Sequence, residues 1–453
     1  MTRPEGDAQD GVGVEAARPV NRRTFVATGA VGATLVAATA AAATCSVIQS
    51  PSAPARSVDP AVTVSSFGSD GAALQRAIDT GAREVVVDRD VAVSADVTLR
   101  AGQVVRFTGG RIIVAADAAI THAVLHNRDG QGIVLLDPVI DARAHRNGAP
   151  GIGLIDTVGA RIKGGRLIGA SLRIESYNNT RDLSIDVGGL LIDMAGYMAS
   201  AVYVGGARGV SIHDLECSGG LEGIGIYNNA RAISFARVVS HGHRQDGFLI
   251  NAGQQIAHVD CRAHGNGQSG FVTQRQTAGT DSRFATWTGC RTWNNGYDGF
   301  DIRGANTRPW NVDTGFVLTG CLARDNDQCG FYVVNAEGTV LKDCHGMLNR
   351  RQNLFVDTSD RVIATGFRST SGASAVPRGP NKAGILVYNS DAVVIERPVS
   401  GNVSGNVSGN RPGGQQDYGV AFTGTSRGGR VVGGDLATNI VQPLFAATGA
   451  VTR

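Results

Sequence analysis

A phrase of the form apolar-x-x-Cys, with Asn five residues later and Gly-Phe soon after, recurs through the centre of this chain. Its anchor positions Leu215, Val238, Cys261, Cys290, Cys321 and Cys344 are spaced by 23, 23, 29, 31 and 23 residues. Repetition at this period constrains folding more than any bulk property of the chain. Each repeat buries its apolar face only by stacking on the next, so the expected product is a solenoid with one continuous core. Asn266, Asn295, Asn326 and Asn349 run in register, with His243 at the same place one repeat earlier. Amide side chains stacked at the strand spacing of about 4.8 Å can bond to one another and to the turn backbone, which predicts an asparagine ladder at a bend. Phe248, Phe271, Phe300 and Phe331 form a parallel column, expected to stack inside, each preceded by a Gly that suits a bend. The column Cys261, Cys290, Cys321 and Cys344 reads as small apolar core filler, with inter-rung disulfides or metal binding as the alternatives.

Composition agrees. Sixty-two glycines, 6% aromatic and 18% charged residues suit many short strands joined by tight turns, not long helices. A formal charge of +3 and the absence of a basic run interleaved with aromatics argue against a nucleic-acid partner.

The first residues read as an address. Asn21-Arg22-Arg23-Thr24-Phe25-Val26 resembles the twin-arginine export motif, with Asn21 where Ser or Thr is usual, and Val26 to Ala43 suits a signal h-region. We expect residues 1–45 to be a twin-arginine signal peptide, 46–60 a Ser/Pro/Ala-rich linker, and 61–453 one domain. The implied partner is the twin-arginine export machinery, and the implied location extracellular or cell-envelope. Ala42-Ala43-Thr44-Cys45 is a degenerate lipoprotein box, with Thr44 counting against it. No stretch of the mature chain is apolar enough for a stable membrane span.

Asp70 is placed to cap a helix in which Leu74 and Ile78 make an apolar i, i+4 pair, before alternating runs such as Glu84-Val85-Val86-Val87. A helix followed by short strands resembles the N-terminal cap of pectate-lyase-like and tailspike β-helices. With the repeats, roughly residues 60 to 440 resemble the right-handed parallel β-helix family of pectate lyases, polygalacturonases, mannuronan C5-epimerases and phage tailspikes. The resemblance implies an all-β, single-stranded right-handed parallel β-helix with a short capping helix. One architecture of this kind hosts many chemistries.

Two successive repeats exceed the 23-residue period, by six residues between Phe271 and Cys290 and by eight between Phe300 and Cys321. Insertions of this kind map to one face, so Gln274 to Arg283 and Arg303 to Trp310 should border a cleft. A third insertion, Thr370 to Lys382, falls on a different turn and could close one end. Glu222, Asp246, Ser269, Asp298 and Cys329 form a column before each Gly-Phe or Gly-Ile. Asp246 and Asp298 are two rungs apart, about 9.6 Å between backbones on the strand spacing, from which their side chains could bring the carboxyls to the separation of an inverting glycosidase. Capping of tight Asp-Gly turns is the alternative use of these residues.

Asp298-Gly299-Phe300-Asp301-Ile302 is similar to the polygalacturonase segment that carries a catalytic aspartate, which would make Asp298 that residue. Gly296-Tyr297 replaces Asn-Thr there, Gln328-Cys329 stands where that family has paired aspartates, and no Gly-His-Gly follows. Asn295-Gly296-Tyr297-Asp298-Gly299-Phe300 also looks like repeats of the mannuronan epimerases, without their Tyr-Asp-Pro-His segment. A lyase or epimerase needs a base, for which Tyr297, His241 or His243 are candidates, and a cation, for which Arg244, Arg275 or Arg303 are. Ca2+ would accompany a lyase, although no calcium-binding motif is visible; otherwise no cofactor or metal site is evident. The expectation is an exported enzyme that cleaves a polysaccharide or oligosaccharide, a glycoside hydrolase using Asp246, Asp298 and Asp301. Substrate contacts are expected from His241, His243, Arg244, Arg275, Tyr297, Arg303 and Trp310. The alternatives are a lyase or C5-epimerase of uronic-acid polymers, and a non-catalytic glycan-binding or envelope protein in which Trp287, Trp310 and Tyr297 supply stacking.

Overall fold

The computed structural model describes residues 61–145, 149–177, 181–274, 282–304, 314–402, 416–439, 441–446 and 451–452. The expected signal peptide and linker lie outside the described residues, and so does most of Ser400 to Asn410, in which the sequence repeats Ser-Gly-Asn-Val.

Each turn of the chain lays down three short strands and then repeats. Every third strand pairs with its equivalent one turn on, always in parallel, as along Phe248↔Phe271↔Phe300↔Phe331. Among the described residues this yields three sheets of 16, 13 and 14 strands, here called I, II and III in the order the chain visits them. The architecture is a parallel β-helix, as the repeat period requires.

The first rung is closed by helix α1 (Gly71–Asp79). Asp70 caps it by accepting the Ala73 N–H at 2.7 Å, and Ala73, Leu74, Ala77 and Ile78 are buried. The side-chain amide of Gln75 both accepts from Thr98 N–H (2.8 Å) and donates to Thr98 C=O (3.2 Å), so helix and first sheet III strand share hydrogen bonds that an open edge would expose.

Left-handed residues turn the chain from sheet I to sheet II. Asp260, Gly289, Gly320 and Asp343 have φ of 52°, 65°, 61° and 51°, and each directly precedes one cysteine of the column. Those cysteines are buried free thiols, each placed to donate to the carbonyl two residues back at 3.5 to 3.7 Å. The core-filler reading holds, and no disulfide forms among them.

The asparagine ladder holds the bend from sheet II to sheet III. Asn266, Asn295 and Asn326 each donate Nδ2–H to the next amide oxygen at 2.9 to 3.0 Å, and that oxygen also accepts the previous rung's backbone N–H at 3.1 to 3.2 Å. The phenylalanines stack inside with centroids 4.6 to 5.0 Å apart. Their preceding glycines sit at bends, as expected, and do so without positive φ. A Cβ on Gly270 would stand 2.1 Å from Thr292 Oγ1, and one on Gly299 would stand 2.6 Å from the Gly330 carbonyl, so close packing excludes any side chain.

Candidate functional site on the outer face of sheet III

Period-two alternation decides what sheet III presents outward. In Phe300–Arg303 the aromatic ring and Ile302 enter the core, leaving Asp301 and Arg303 on the outer face. Parallel register then builds columns along the helix axis. One runs Leu249, Val272, Asp301, Tyr332, Phe355, Leu386; the next runs Asn251, Gln274, Arg303, Val334, Asp357, Tyr388. The acidic column lies three residues earlier, at the bend into sheet III, with Glu222, Asp246, Ser269, Asp298, Cys329 and Gln352 on successive rungs.

The structure therefore brings Asp246, Asp298, Asp301 and Arg303 together. Asp246 Oδ1 accepts the Ser269 N–H at 2.9 Å, and Asp298 Oδ1 accepts the Cys329 N–H at 2.7 Å. These bonds run to the next rung, not to the residue's own turn, so the turn-capping alternative describes them only in part. Arg303 forks onto both oxygens of Asp301, with contacts of 2.6 to 2.9 Å.

All three carboxyls are nearly inaccessible, and burial favours their protonated forms. Burial, with the charges of Asp301 and Glu222, lifts Asp246 to about 7 against the amide bond from Ser269. Burial and the charge of Asp301 lift Asp298 to about 7, opposed by the Cys329 amide and by Arg303 and Arg351. Asp301 is also pushed up by burial, with the Arg303 fork opposing. Carboxyls poised near neutrality on one face are what proton transfer at neutral pH requires.

Other residues complete the surroundings of the cluster, among them Tyr332, which was not singled out from sequence, and Glu222 of the acidic column. Tyr332 follows Asp301 in its column and donates its hydroxyl to Asp357 Oδ2 at 3.3 Å. Glu222 accepts from Ser200 Oγ at 2.8 Å and from the Tyr227 hydroxyl. Beyond Tyr332 a cavity of about 450 Å³ is lined by Arg351, Phe355, Asp357, Arg378 and Tyr388 among others. Arg378 belongs to the third insertion, which packs beside sheet III and supplies one wall of this cavity.

The remaining expected contacts separate. Tyr297 is 51% exposed on the rim where the chain enters sheet III, in a backbone-bonded line with Gln268, Gln328 and Arg351. Arg244 is exposed on the same rim, one residue before Gln245 of that line. His241 is on sheet II instead, paired with Glu216 at 3.1 Å and stacked on His264, so it does not share the face of the aspartates. His243 is a correction: it is 2% exposed, bonded through Nδ1 to Gly220 N–H and through Nε2 to Cys217 C=O, and burial lowers it to about 4. It is the first member of the ladder, closed to a ligand. Trp287 is likewise core, stacked on the fully buried His258, and cannot offer a stacking surface. Arg275 and Trp310 lie outside the described residues.

No protein-family model and no curated protein matches this chain. Among solved structures it is similar to the A-module of the mannuronan C-5 epimerase AlgE4 of Azotobacter vinelandii. That match has 14% identity and a TM-score of 0.52, covering 86% of this chain and 99% of that one. Two further matches are the tailspike receptor-binding domain of siphovirus 9NA (11% identity, TM-score 0.49, 86% and 76% covered) and the periplasmic alginate epimerase AlgG (11%, 0.43, 81% and 78%). At these identities the likeness concerns the fold alone. The chain is a right-handed parallel β-helix with an acidic cluster on the outer face of sheet III. No helix among the described residues is long and apolar enough to cross a membrane.

Proposed function

We propose that this protein acts on a polysaccharide laid along the outer face of sheet III, and that it hydrolyses a glycosidic bond with Asp298 as general acid and Asp246 as general base. The observation that carries this is the pair of buried carboxyls two rungs apart, each held near 7, with the Asp301–Arg303 pair beside Asp298. A group at about 7 keeps a proton to give to the leaving oxygen and ionises readily enough to activate a water. Two rungs correspond to about 9.6 Å between backbones, room for a water between acid and base and thus for inversion. Arg303 offsets negative charge in the cluster, and the cavity at Phe355, Tyr388, Arg351 and Arg378 gives a neighbouring sugar an aromatic surface with two cations. Export through the twin-arginine motif at Arg22-Arg23 belongs to the same proposal, because polymeric glycans are met outside the cytoplasm.

β-Elimination or C5 epimerisation of a uronic-acid polymer is the second reading. It is favoured by Tyr332, whose ring neighbours Asp301 in register, with Arg303 as the neutralising cation, while burial and the charges of Asp357 and Asp301 push the Tyr332 phenol up and count against it as the base. The A-module of similar fold is that of a mannuronan C-5 epimerase, which points the same way. Incubating the protein with neutral and uronic polysaccharides, while following reducing ends and unsaturated-product absorbance together, separates the readings. Reducing ends without absorbance support hydrolysis, whereas absorbance moves the chemistry to Tyr332 and elimination. Altered uronate epimer ratios with neither signal mean epimerisation, and silence with retained binding means a glycan-binding protein.

A further inference from the structure

A second cluster lies at the other end of sheet III. Asp96 precedes the strand Val97–Thr98, and His126 lies one rung on in Leu125–Arg128, where it pairs in register with Thr98. The Asp96 carboxylate reaches that rung. Its Oδ1 accepts the Thr121 N–H at 2.8 Å, and its Oδ2 accepts the His122 N–H at 2.9 Å and lies 3.0 Å from His122 Nδ1. Two amides thus fix the carboxylate whether or not a ligand is present.

The His122 and His126 rings stack with centroids 5.2 Å apart at 24°. His126 Nδ1 is buried and has no hydrogen-bond partner, an unsatisfied nitrogen beside a fixed carboxylate. One donor atom from each of Asp96, His122 and His126 falls within 4.8 Å of the other two, and no other group of His, Cys, Asp or Glu among the described residues meets that condition. Gly153 occupies the position next to His126 on the following rung, so no side chain from there fills the space beside the imidazole.

We propose that Asp96, His122 and His126 bind a divalent transition-metal ion of the zinc class, which clips the first rung to the second. Two imidazoles and one carboxylate form a borderline donor set that suits Zn2+ better than Ca2+ or Mg2+, which take oxygen. Three protein donors leave a fourth position for water. Metal-bound His must be neutral, and burial already holds His126 below its ordinary value. The role is structural. Seven rungs separate His126 from Asp301 in the same column, about 34 Å on the strand spacing, so the ion is remote from the acidic cluster.

The test is Zn2+ alone, titrated into EDTA-treated full-length protein by calorimetry, with thermal unfolding recorded before and after. The expected result is one equivalent bound and a melting temperature raised by several degrees, reversed by EDTA. His122→Asn and His126→Asn should each weaken binding at least 10-fold, and the double variant at least 100-fold. Circular dichroism and melting of the EDTA-treated variants check that they fold. If His126→Asn unfolds, Co2+ added to the His122→Asn chain gives the second readout: the visible ligand-field band of the wild-type complex should weaken. Failure of the wild type to take up Zn2+, or equal uptake by the folded double variant, overturns the proposal.

Discussion

Asp298→Asn should stabilise the protein at alkaline pH while removing its proposed acid. Lifting a carboxyl from 3.8 to about 7 corresponds to about 4 kcal/mol of added cost for its charged form. In the unfolded chain Asp298 ionises near 4, but in the folded chain it holds its proton to about 7. Between those values the folded state binds more protons, so this group's contribution to stability falls as pH rises from 4 to 7 and stays low above. Asn is neutral throughout and its Oδ1 can still accept the Cys329 N–H. The variant should therefore gain up to about 4 kcal/mol at pH 8, with roughly half expected because Asp301 shares the repulsion. At pH 4 it should gain nothing. Urea unfolding of both proteins at the two pH values measures the difference. A variant destabilised at pH 8, or equally stabilised at pH 4, would refute the claim that burial and charge hold this carboxyl protonated.

Arg303→Ala removes the opposing cation, so Asp246 and Asp298 should both rise further; the acid limb of kcat/KM against pH, set by the base Asp246, and the alkaline limb, set by the acid Asp298, should both move to higher pH, with at least a roughly 10²-fold loss of activity. Asn326→Leu leaves the Asn295 backbone and amide N–H groups without their acceptor and should cost about 2–4 kcal/mol in urea unfolding. His243→Asn places in the ladder the residue its neighbours use, so kcat/KM and melting temperature should both stay within error of the wild type.

Columns were legible in the sequence because stacking turns register into spacing: one interval of 23 residues fixes Cys261, Asn266 and Phe271 together. The helix cap at Asp70 was legible from local chemistry alone. Facing was harder. His241 and Asp246 are five residues apart, yet His241 ends a strand of sheet II while Asp246 lies past the corner, at the entry to sheet III, and no periodicity reports the angle of a corner. His243 occupies the ladder position, and its side chain spans the bend to Cys217 and Gly220, contacts set by the preceding rung. Tyr332 carried a usable signal, since it follows Phe331 as Asp301 follows Phe300, but its neighbourhood with Asp357 depends on the register of the next rung. The cluster Asp96–His122–His126 was hidden for a related reason: the pattern His-x-x-x-His is weak until a neighbouring rung supplies the carboxylate.

The most direct test of the central claim is the rate of reducing-end release from a polysaccharide substrate by Asp298→Asn compared with wild type, both shown to be folded. The account predicts a fall of at least about 10³-fold with substrate binding retained, because Asn can hold the rung but cannot donate the proton. Wild-type rates from the folded variant would contradict it, and the acidic cluster would then be a device of the fold alone.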